Sequence, residues 1–262
     1  MTIDASRYRV KLAETAEERA GAQRLRYRVF VEEMGAQATL EQRAARLEWD
    51  GFDPFFDHLV LLSTDPAIAD PLDRVVGAYR LLRSEVAAAG PGFYGAAEYD
   101  LGAIADSGRA SVELGRSCVA REHRGGPGMH LLWNGLAAYV LERGIELMFG
   151  VAIFPGTDPA PLAEALSHLH YAHLAPPDLR VRARAEHFLA MDLLTEAEVD
   201  PARAVKSIPP LIKAYLRLGG FVGEGAWVDR AFNTIDVCVV MDTGRMTERY
   251  LQFYQRGLER RG

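Results

Sequence analysis

Residues 110–154 of this 262-residue chain read ASVELGRSCVAREHRGGPGMHLLWNGLAAYVLERGIELMFGVAIF. The stretch predicts a strand over Ala110–Val119, a glycine-rich turn over Ala120–Gly128 and an amphipathic helix over Met129–Arg143. A second apolar strand, Glu146–Phe154, follows the helix. A strand, a tight turn, a helix and another strand in this order form a compact α/β unit, so the stretch sets the fold class.

The flanking sequence extends the α/β pattern on both sides. Toward the N-terminus, alternation predicts a strand over Tyr8–Leu12, and an apolar stripe predicts a helix over Ala16–Met34. Two more strands are predicted at His58–Ser63 and Val75–Leu82, and a last one at Thr234–Asp242. The sequence therefore favours a mixed central sheet with helices on both faces.

Other segments lack such regular patterns. Ala36–Glu48 is polar and is expected to be mobile. From about residue 161 to 220, alanine, leucine and two Pro-Pro pairs predict a mainly helical insertion, in which His187–Leu193 favours a strand. The final segment from Thr247 is predicted to be helical. Residues 1–262 contain no repeat and no low-complexity tract, so we expect one domain.

Composition excludes several classes of protein. With 49% hydrophobic residues the chain can bury a core, and a net charge of −6 argues against broad nucleic-acid binding. The two cysteines, Cys118 and Cys238, cannot build a disulfide framework or a four-cysteine metal site. The polar N-terminus is unlike a signal peptide, and no apolar run approaches the roughly 20 residues that cross a bilayer. A cytoplasmic protein is expected.

The turn between Arg121 and Gly128 carries the first functional signal. Its backbone amides and the start of the next helix can bind a phosphate or pyrophosphate, and glycines let the ligand approach the main chain. Arg121 and Arg124 favour an anionic ligand over the alternative, an ordinary strand-to-helix turn. The glycine spacing fits neither a Walker loop nor the dinucleotide fingerprint. The candidate phosphate-binding residues are Val119, Arg121, Arg124, Gly125, Gly126 and Gly128.

Charged residues also stand inside the predicted strands and near the first helix's apolar stripe. A buried charge must be paired or functional, because burying it alone is costly. The charges therefore form a salt-bridge network between sheet and helix, or part of an active site, and the two roles are compatible. The residues concerned are Arg26, Asp50, Asp53, Arg80, Glu113 and Arg116.

The turn and the strand before it resemble a known superfamily. The run Ser117-Cys-Val-Ala-Arg-Glu-His-Arg-Gly-Gly is similar to the fourth strand and phosphopantetheine loop of the GCN5-related N-acyltransferases. Arg124-Gly125 matches the middle of that loop, whereas Pro127 separates Gly126 from Gly128. The departure weighs against free coenzyme A as the acyl donor.

The charged residues resemble two more specific groups of enzymes. Arg26 to Phe30, Asp50-x-x-Asp53, Arg80 and Glu113-x-x-Arg116 match the charged signature of acyl-homoserine-lactone synthases, although the tryptophan usual after the phenylalanine is missing. Longer strings between about residues 23 and 250 resemble the ornithine–acyl carrier protein N-acyltransferases, often labelled hemolysin-like. These strings are Arg26-Tyr-Arg-Val-Phe-Val-Glu-Glu, Asp53-Pro-Phe-Phe-Asp-His-Leu, Glu113-Leu-Gly-Arg-Ser-Cys-Val, Phe154-Pro-Gly-Thr-Asp-Pro, Leu174-Ala-Pro-Pro, Pro209-Pro-Leu-Ile-Lys-Ala-Tyr-Leu-Arg-Leu-Gly-Gly and Phe232-Asn-Thr-Ile-Asp-Val-Cys.

The second resemblance implies a reaction. It implies transfer of a 3-hydroxyacyl chain from acyl carrier protein to the α-amine of ornithine, which gives lyso-ornithine lipid. The donor arm would be the 4′-phosphopantetheine of acyl carrier protein, with no tightly bound cofactor. An acyl-homoserine-lactone or N-acyl amino acid synthase that uses another amine remains the nearest alternative. A non-catalytic acyl-carrier or lipid-binding module is an alternative of a different class.

The reaction assigns chemical roles to the charged residues. An ammonium must lose a proton before its nitrogen attacks a thioester, and Glu113 is the candidate base, directly or through one water. Backbone amides from Ser117 to Val119 are candidate donors to the oxyanion. Arg80 or Arg116 suits the substrate carboxylate by bidentate pairing. Asp50 and Asp53 suit the δ-ammonium, with Arg26 and Phe30 completing the substrate-binding set.

Cysteine and histidine leave further alternatives. Cys118 is a candidate for covalent catalysis, although a small apolar strand residue is the more ordinary interpretation. His168, His170 and His173 do not have the spacing of an HExxH site, so no metal is predicted.

Carrier proteins are acidic, so the resemblance also implies a basic docking surface. Arg121 and Arg124 are one candidate for this surface. A second candidate is a group of basic residues around Pro209-Pro210, although a solvated helix face would explain that group equally well. The helical insertion is a candidate for covering the acyl chain or for peripheral contact with the inner membrane, and otherwise is a packing layer on the sheet. The second basic group comprises Arg203, Lys206, Lys213 and Arg217.

Overall fold

The computed structural model of the chain describes residues 2–5 and 7–245. The strands, in chain order, are β1 (Thr2–Ala5), β2 (Tyr8–Leu12), β3 (Asp57–Ser63), β4 (Val75–Arg83), β5 (Tyr99–Asp100), β6 (Ser111–Val119), β7 (Leu147–Pro155), β8 (Arg182–Ala183), β9 (Phe188–Leu189), β10 (Phe221–Val222), β11 (Ala226–Asp229) and β12 (Thr234–Asp242). The helices are α1 (Ala16–Arg26), α2 (Leu40–Ala45), α3 (Ser84–Ala89), α4 (Gly102–Ala105), α5 (Gly128–Glu142), α6 (Ala163–His173), α7 (Pro201–Ser207) and α8 (Pro210–Arg217). A π-helix, Tyr27–Glu33, follows α1 directly.

Contacts divide the chain into two compact units. Among the described residues, the first unit comprises those up to Pro91 together with Leu114–Gly144. The second unit comprises Gly92–Glu113 and the residues from Ile145 onward. Strand β6 contributes to both units, since its residues up to Glu113 belong to the second and the rest to the first. The expectation of one domain stays a prediction.

In the first unit, helices cover both faces of an antiparallel sheet. Strands β1, β2, β3 and β4 are neighbours in that order, and the part of β6 in this unit lies next to β4. A Cβ on Gly135 of α5 would lie 2.5 Å from a methyl of Val10 and 3.3 Å from one of Leu59, so α5 packs closely on this face. Because successive strand residues point to opposite faces, His58 lies on the other side, where its ring meets the Asp53 carbonyl.

The N-terminus of α1 is fixed by its own sequence. The Thr15 side chain accepts a hydrogen bond from the Glu18 amide, and the Glu18 side chain accepts one from the Thr15 amide. This capping box satisfies two amides that the helix leaves unbonded. The helix buries Ala22, Leu25 and Arg26 on one stripe, so an arginine lies where the pattern expects an apolar residue. The helix thereby places the Arg26 guanidinium inside the unit.

In the second unit, β7 and β12 are the two long paired strands of a mixed sheet. Their antiparallel register runs from Leu147 opposite Asp242 to Pro155 opposite Thr234. Strand β6 pairs in parallel with β7 over Ser111–Glu113. Strand β11 continues the sheet beyond β12, and β9 pairs with β11. The buried cluster of this unit includes Tyr99, Leu147, Phe149, Leu179, Val181 and Val240.

Most sequence-based predictions of strands are confirmed. The strands predicted at Tyr8–Leu12 and Thr234–Asp242 have the predicted ends. The predicted mixed α/β fold with a central sheet and flanking helices is also confirmed. The helix predicted over Ala16–Met34 forms, but its second half, Tyr27–Glu33, is π-helical.

Three predictions differ from the structure or lie outside it. The sequence of Ala36–Glu48 predicts no regular structure, but the segment contains α2, whose N-terminus the Thr39 side chain caps; its mobility stays a prediction. In the predicted strand His187–Leu193 only Phe188–Leu189 is extended and paired. The helix predicted from Thr247 lies outside the described residues. Within the ranges given above, no helix combines the length and apolar character that crossing a membrane requires.

Candidate active site

Arg26 lies at the centre of an ion network in the first unit. Its side chain is fully buried, at 0% exposure, and Nη1 and Nη2 donate to the two carboxylate oxygens of Asp53 at 2.9 Å each. Nε donates to the Glu48 carboxylate, and Nη2 also donates to the Glu48 carbonyl at 2.7 Å. A bidentate pair and a second carboxylate thus fix the guanidinium in position.

Arg80 on β4 joins the same network from the sheet. Its Nη1 donates to Asp53 Oδ1 at 2.8 Å and to both carboxylate oxygens of Asp50 at 2.8 Å. The guanidinium carbon lies 4.3 Å from the centre of the Phe56 ring. Arg80 is 1% exposed, so Asp53 bridges two buried arginines, one from a helix and one from a strand.

Arg116 completes the network from β6 and has an unusual backbone. Its φ of +51° lies in the left-handed region, which costs a non-glycine residue about 1–3 kcal/mol unless its surroundings compensate. Its Nε lies 3.2 Å from Glu48 Oε1, and its Nη2 lies 3.7 Å from Asp50 Oδ2. The Phe30 ring centre lies 5.9 Å from its guanidinium carbon. These contacts hold the Arg116 side chain in the position that its left-handed backbone conformation gives it.

The network balances its charges internally. Burial alone would raise the pKa of Asp53, but the charges of Arg26 and Arg80 outweigh burial and hold that pKa well below its usual range. The pKa of Glu48 is lowered by the same balance, in which Arg26 acts most strongly against burial. Burial, followed by the nearby arginines, lowers the pKa of His58. Three guanidinium groups face three carboxylates, so the formal charges cancel.

The sequence analysis anticipated this network except for Glu48. The structure brings together the predicted Arg26, Phe30, Asp50, Asp53, Arg80 and Arg116. Glu48 is 5% exposed and touches both Arg26 and Arg116, yet it ends a segment that the sequence predicts to be mobile. The signal that could have found it is its position two residues before Asp50, which extends the spacing of acidic residues to Glu-x-Asp-x-x-Asp.

Glu113 belongs to the second unit and holds a turn of that unit. It is 3% exposed, and its carboxylate accepts hydrogen bonds from the amides of Tyr94 at 2.7 Å and Gly95 at 2.6 Å. A Cβ on Gly95 would lie 2.8 Å from Glu113 Oε1, so this approach requires glycine. The carboxylate is therefore fixed where β6 leaves its pairing with β7, whose residue opposite Glu113 is Phe149.

The glycine-rich turn lies in the first unit and leads into α5. Gly125 has a φ of +76°, which glycine adopts at little cost. Helix α5 begins at Gly128 after Pro127, and no side chain within residues 2–5 and 7–245 caps its first turn. Uncapped amides at the start of a 15-residue helix, with the helix dipole behind them, can attract an anion. Phosphate binding at this turn stays a prediction.

Ser117 and Cys118 lie on β6 between Arg116 and the turn. The Ser117 hydroxyl is buried and has no hydrogen-bond partner among the described residues. Cys118 is 4% exposed, and burial raises the pKa of its thiol to about 12. The thiolate is the nucleophilic form of cysteine, so this environment favours packing over covalent catalysis.

The remaining candidate groups lie in the second unit. His168 and His173 stack edge to face at 5.4 Å, and burial lowers the pKa of both rings. A cluster that the sequence analysis did not single out holds Glu98, Asp229 and Asp236, with one oxygen of each within 4.8 Å of the others. Acidic side chains also cluster without an ion, so this arrangement alone does not indicate a metal.

The second basic group is only partly available to a partner. Arg203 forms ion pairs with Glu164 at 2.5 Å and Asp200 at 3.3 Å. Lys213 donates to the Val205 carbonyl at 3.1 Å. Because Glu164 and Asp200 offset the charge of Arg203, this helix face carries less net positive charge than its basic residues alone indicate.

Known proteins resemble the chain over nearly its whole length. A domain described as an acetyltransferase (GNAT) domain matches residues 25–134. The chain is 55% identical over 255 residues to an L-ornithine N(alpha)-acyltransferase of Rhodobacter capsulatus, covering 97% of each chain. It is 44% identical over 246 residues to the L-ornithine N(alpha)-acyltransferase of Rhizobium meliloti, covering 93% of this chain and 83% of the other. Among solved structures, FeeM, an N-acyl amino acid synthase from uncultured soil microbes, has a TM-score of 0.51 at 11% identity, covering 91% of this chain and 92% of that one, and supports the fold.

Proposed function

Because the chain belongs to the L-ornithine N(alpha)-acyltransferases, we propose that it transfers an acyl group to the α-amine of L-ornithine. The observation that carries the proposal is the identity of 55% over 97% of both chains. The resemblance to this family drawn from the sequence motifs is confirmed by the same comparison. An amino acid that carries a fatty acyl chain in amide linkage on its α-nitrogen is a lipid. The reaction therefore belongs to lipid biosynthesis.

We propose acyl carrier protein as the donor, with a 3-hydroxyacyl chain on its 4′-phosphopantetheine arm. The glycine-rich turn supports this assignment, because the uncapped amides at the start of α5 and the positive φ of Gly125 suit a phosphate. Val119, Arg124 and Gly126 complete the candidate phosphate site. The arm arrives with its carrier, so the enzyme needs no resident cofactor for the transfer.

The reaction replaces a thioester by an amide. The α-ammonium loses a proton, and its nitrogen forms a bond to the thioester carbon. The nitrogen then loses a second proton as the carbon–sulfur bond breaks, and the released carrier thiolate takes up a proton to become the thiol. Glu113 is the proposed base, directly or through a water. The amides of Tyr94 and Gly95 hold its carboxylate in place for this role. Backbone amides at Ser117 and Val119 are the proposed oxyanion donors.

Exposure separates substrate-binding members of the ion network from structural ones. Arg26 and Arg80 are 0% and 1% exposed, which supports a structural role for both. The side chains of Asp50 and Arg116 are 24% and 13% exposed, so they form the accessible edge of the network. We propose that Arg116 binds the ornithine carboxylate and Asp50 its δ-ammonium, while Asp53 holds the buried arginines.

The basic turn is the proposed docking surface for the acidic carrier protein. The Arg121 side chain is 78% exposed and the Arg124 side chain 43% exposed. Charge attraction of this kind weakens with salt. Carrier affinity should therefore fall as salt increases, and an affinity independent of salt would contradict docking by charge. Cytoplasmic location and peripheral contact with the inner membrane stay predictions from the sequence.

One experiment tests the function directly. The purified protein is incubated with 3-hydroxyacyl carrier protein and, in separate reactions, with ornithine, lysine and a panel of other amino acids. Release of carrier thiol and the product mass are measured. We expect thiol release only with ornithine, and a product acylated on the α-nitrogen. Release with a different amine alone would favour the synthase alternative, and carrier binding without any release would favour a non-catalytic module.

Variants test the role of Glu113 in the same assay. Glu113→Gln keeps the size of the side chain but removes its basicity, so turnover should fall by about 100-fold or more, as for loss of a general base. Glu198→Gln is the matched control, because Glu198 is exposed and, among the described residues, its side chain bonds only to Thr195 in its own helix start. A Glu113→Gln protein with near-normal turnover would exclude the base role.

A further inference from the structure

A carboxylate from the first unit lies against the arginines of the glycine-rich turn. Glu33 is the last residue of the π-helix, and its Oε2 lies 2.8 Å from Arg124 Nη1 and 3.9 Å from Arg121 Nε. The Glu33 side chain is 23% exposed, so solvent screens the pair only in part. Arg124 Nε also donates to the Val119 carbonyl at 2.8 Å. The Arg124 guanidinium is therefore held in place before any ligand binds.

The turn is consequently much less positive than its sequence indicates. Its own acid, Glu122, pairs with Arg28 at 3.0 Å. Glu33 and Glu122 together offset two of the three arginines at this place, Arg28, Arg121 and Arg124. With histidine neutral, the formal charge around the turn is one positive unit.

Different acyl donors bring different charges to such a turn. A phosphopantetheine arm on a carrier protein is joined through one phosphodiester, which carries a single negative charge. Free coenzyme A brings a pyrophosphate and a separate monophosphate. A carboxylate beside the phosphate site repels the more highly charged donor more strongly, and repulsion of this kind sets specificity between related ligands.

We infer that Glu33 is a specificity-determining residue that selects a carrier-bound donor over free coenzyme A. The inference rests on the proposed function, because it names which donor that site accepts. Glu33 acts through charge and by holding Arg124, and it takes no part in bond formation.

Binding of unacylated coenzyme A tests the inference without turnover. Calorimetry gives the Kd for free coenzyme A and for holo acyl carrier protein with the wild type and with Glu33→Gln. Removing one partly exposed charge beside a phosphate site should tighten coenzyme A binding by about threefold to tenfold, and the gain should shrink at high salt. The Kd for the carrier protein should also decrease, because its acidic surface is proposed to dock on the same arginines, but by a smaller factor than the Kd for coenzyme A, since its arm brings only one phosphodiester charge to the site.

Two further variants control the measurement. Glu32→Gln changes the neighbouring residue, which pairs with Arg46 at 2.6 Å instead of with the turn, and it should leave the Kd for coenzyme A unchanged. Glu33→Gln combined with Arg124→Gln removes the freed guanidinium and should abolish most of the gain. Thermal melting of each variant verifies that it is folded.

Several outcomes would overturn the inference. They are an unchanged Kd for coenzyme A in folded Glu33→Gln, an equal gain for the carrier protein, an equal gain in Glu32→Gln, or a full gain in the double variant. Failure of the proposed function would look different, because the wild type would then release no thiol with carrier donor and ornithine, whatever the Kd values for coenzyme A.

Discussion

Asp53→Asn should be among the most destabilising changes of a polar residue in the first unit. Asp53 accepts two hydrogen bonds from Arg26 at 2.9 Å, one from Arg80 at 2.8 Å and one from Gln23 Nε2 at 2.9 Å. An asparagine amide has one carbonyl oxygen, so in either orientation an NH₂ group would face an arginine donor. The substitution removes one negative charge and leaves two buried arginines with fewer partners.

The burial of the network sets the magnitude. Removing one partner of a buried ion pair costs about 3–5 kcal/mol, because the remaining charge stays buried without compensation. Arg26 and Arg80 are nearly inaccessible, which places Asp53→Asn in that range. Asp50 is the matched control, since its side chain is 24% exposed and Arg80 keeps Asp53 when Asp50 changes. Asp50→Asn should therefore cost only about 1–2 kcal/mol.

Urea unfolding at neutral pH, followed by circular dichroism, measures both losses as changes in the free energy of unfolding. The pKa of Asp53 is lower in the folded chain than in the unfolded chain. In the unfolded chain an aspartate has a pKa of about 3.9. Its stabilising effect is thus fully present above that unfolded value and is lost as the pH falls toward the folded pKa. The difference between wild type and Asp53→Asn should be constant from pH 5 to 7 and should shrink below about pH 4.

Two results would refute this reasoning. One is a loss below about 1 kcal/mol for Asp53→Asn, which would mean that water or a rearranged carboxylate compensates the arginines. The other is a larger loss for Asp50→Asn than for Asp53→Asn, which would place the core of the network at its exposed edge.

Three further predictions concern single groups. Gly95→Ala places a methyl 2.8 Å from Glu113 Oε1 and should destabilise the chain by about 1–3 kcal/mol while reducing ornithine acylation; unfolding curves and thiol release measure both, and an unchanged protein would contradict the close contact. Cys118 should resist iodoacetamide at pH 8 in the folded chain and react in urea, because burial raises its pKa to about 12; rapid native labelling seen by mass would contradict this. Tyr139→Phe removes a 2.7 Å hydrogen bond to Asp57 and should lower the free energy of unfolding by about 1 kcal/mol, whereas a neutral or stabilising effect in urea would contradict a net contribution from that bond.

The parts of the fold that depend on local patterns could be predicted from the sequence. The alternation in Tyr8–Leu12 and the continuous apolar run in Thr234–Asp242 are properties of a few adjacent residues, and both strands have the predicted ends. Helix α5 starts within one residue of its prediction, because the glycine-rich turn marks its beginning. The ion network was also within reach, since charges in apolar surroundings require partners.

The parts that depend on distant contacts could not be predicted. Segment Ala36–Glu48 looks mobile because it is polar, but it contains a capped helix, and the Glu48 side chain at its end accepts a hydrogen bond from Arg26, which is remote in sequence. The π-helical Tyr27–Glu33 has the same apolar pattern as an α-helix, so composition does not reveal it. The positive φ of Arg116 likewise has no local sequence signal, and the side-chain partners of Arg116, Glu48 and Asp50, are remote in sequence.

The closed charge balance of the network restricts how this sequence can change. Arg26, Asp53 and Arg80 share hydrogen bonds, so the effect of altering one depends on whether the others are present. A double-mutant cycle on Arg26 and Asp53 should show strong non-additivity, with the pair of substitutions costing less than the sum of the single ones. Substitutions that preserve the stability of the fold therefore require mainly simultaneous changes at two or more of these positions. A library that varies these positions one at a time would find almost no acceptable substitutions there.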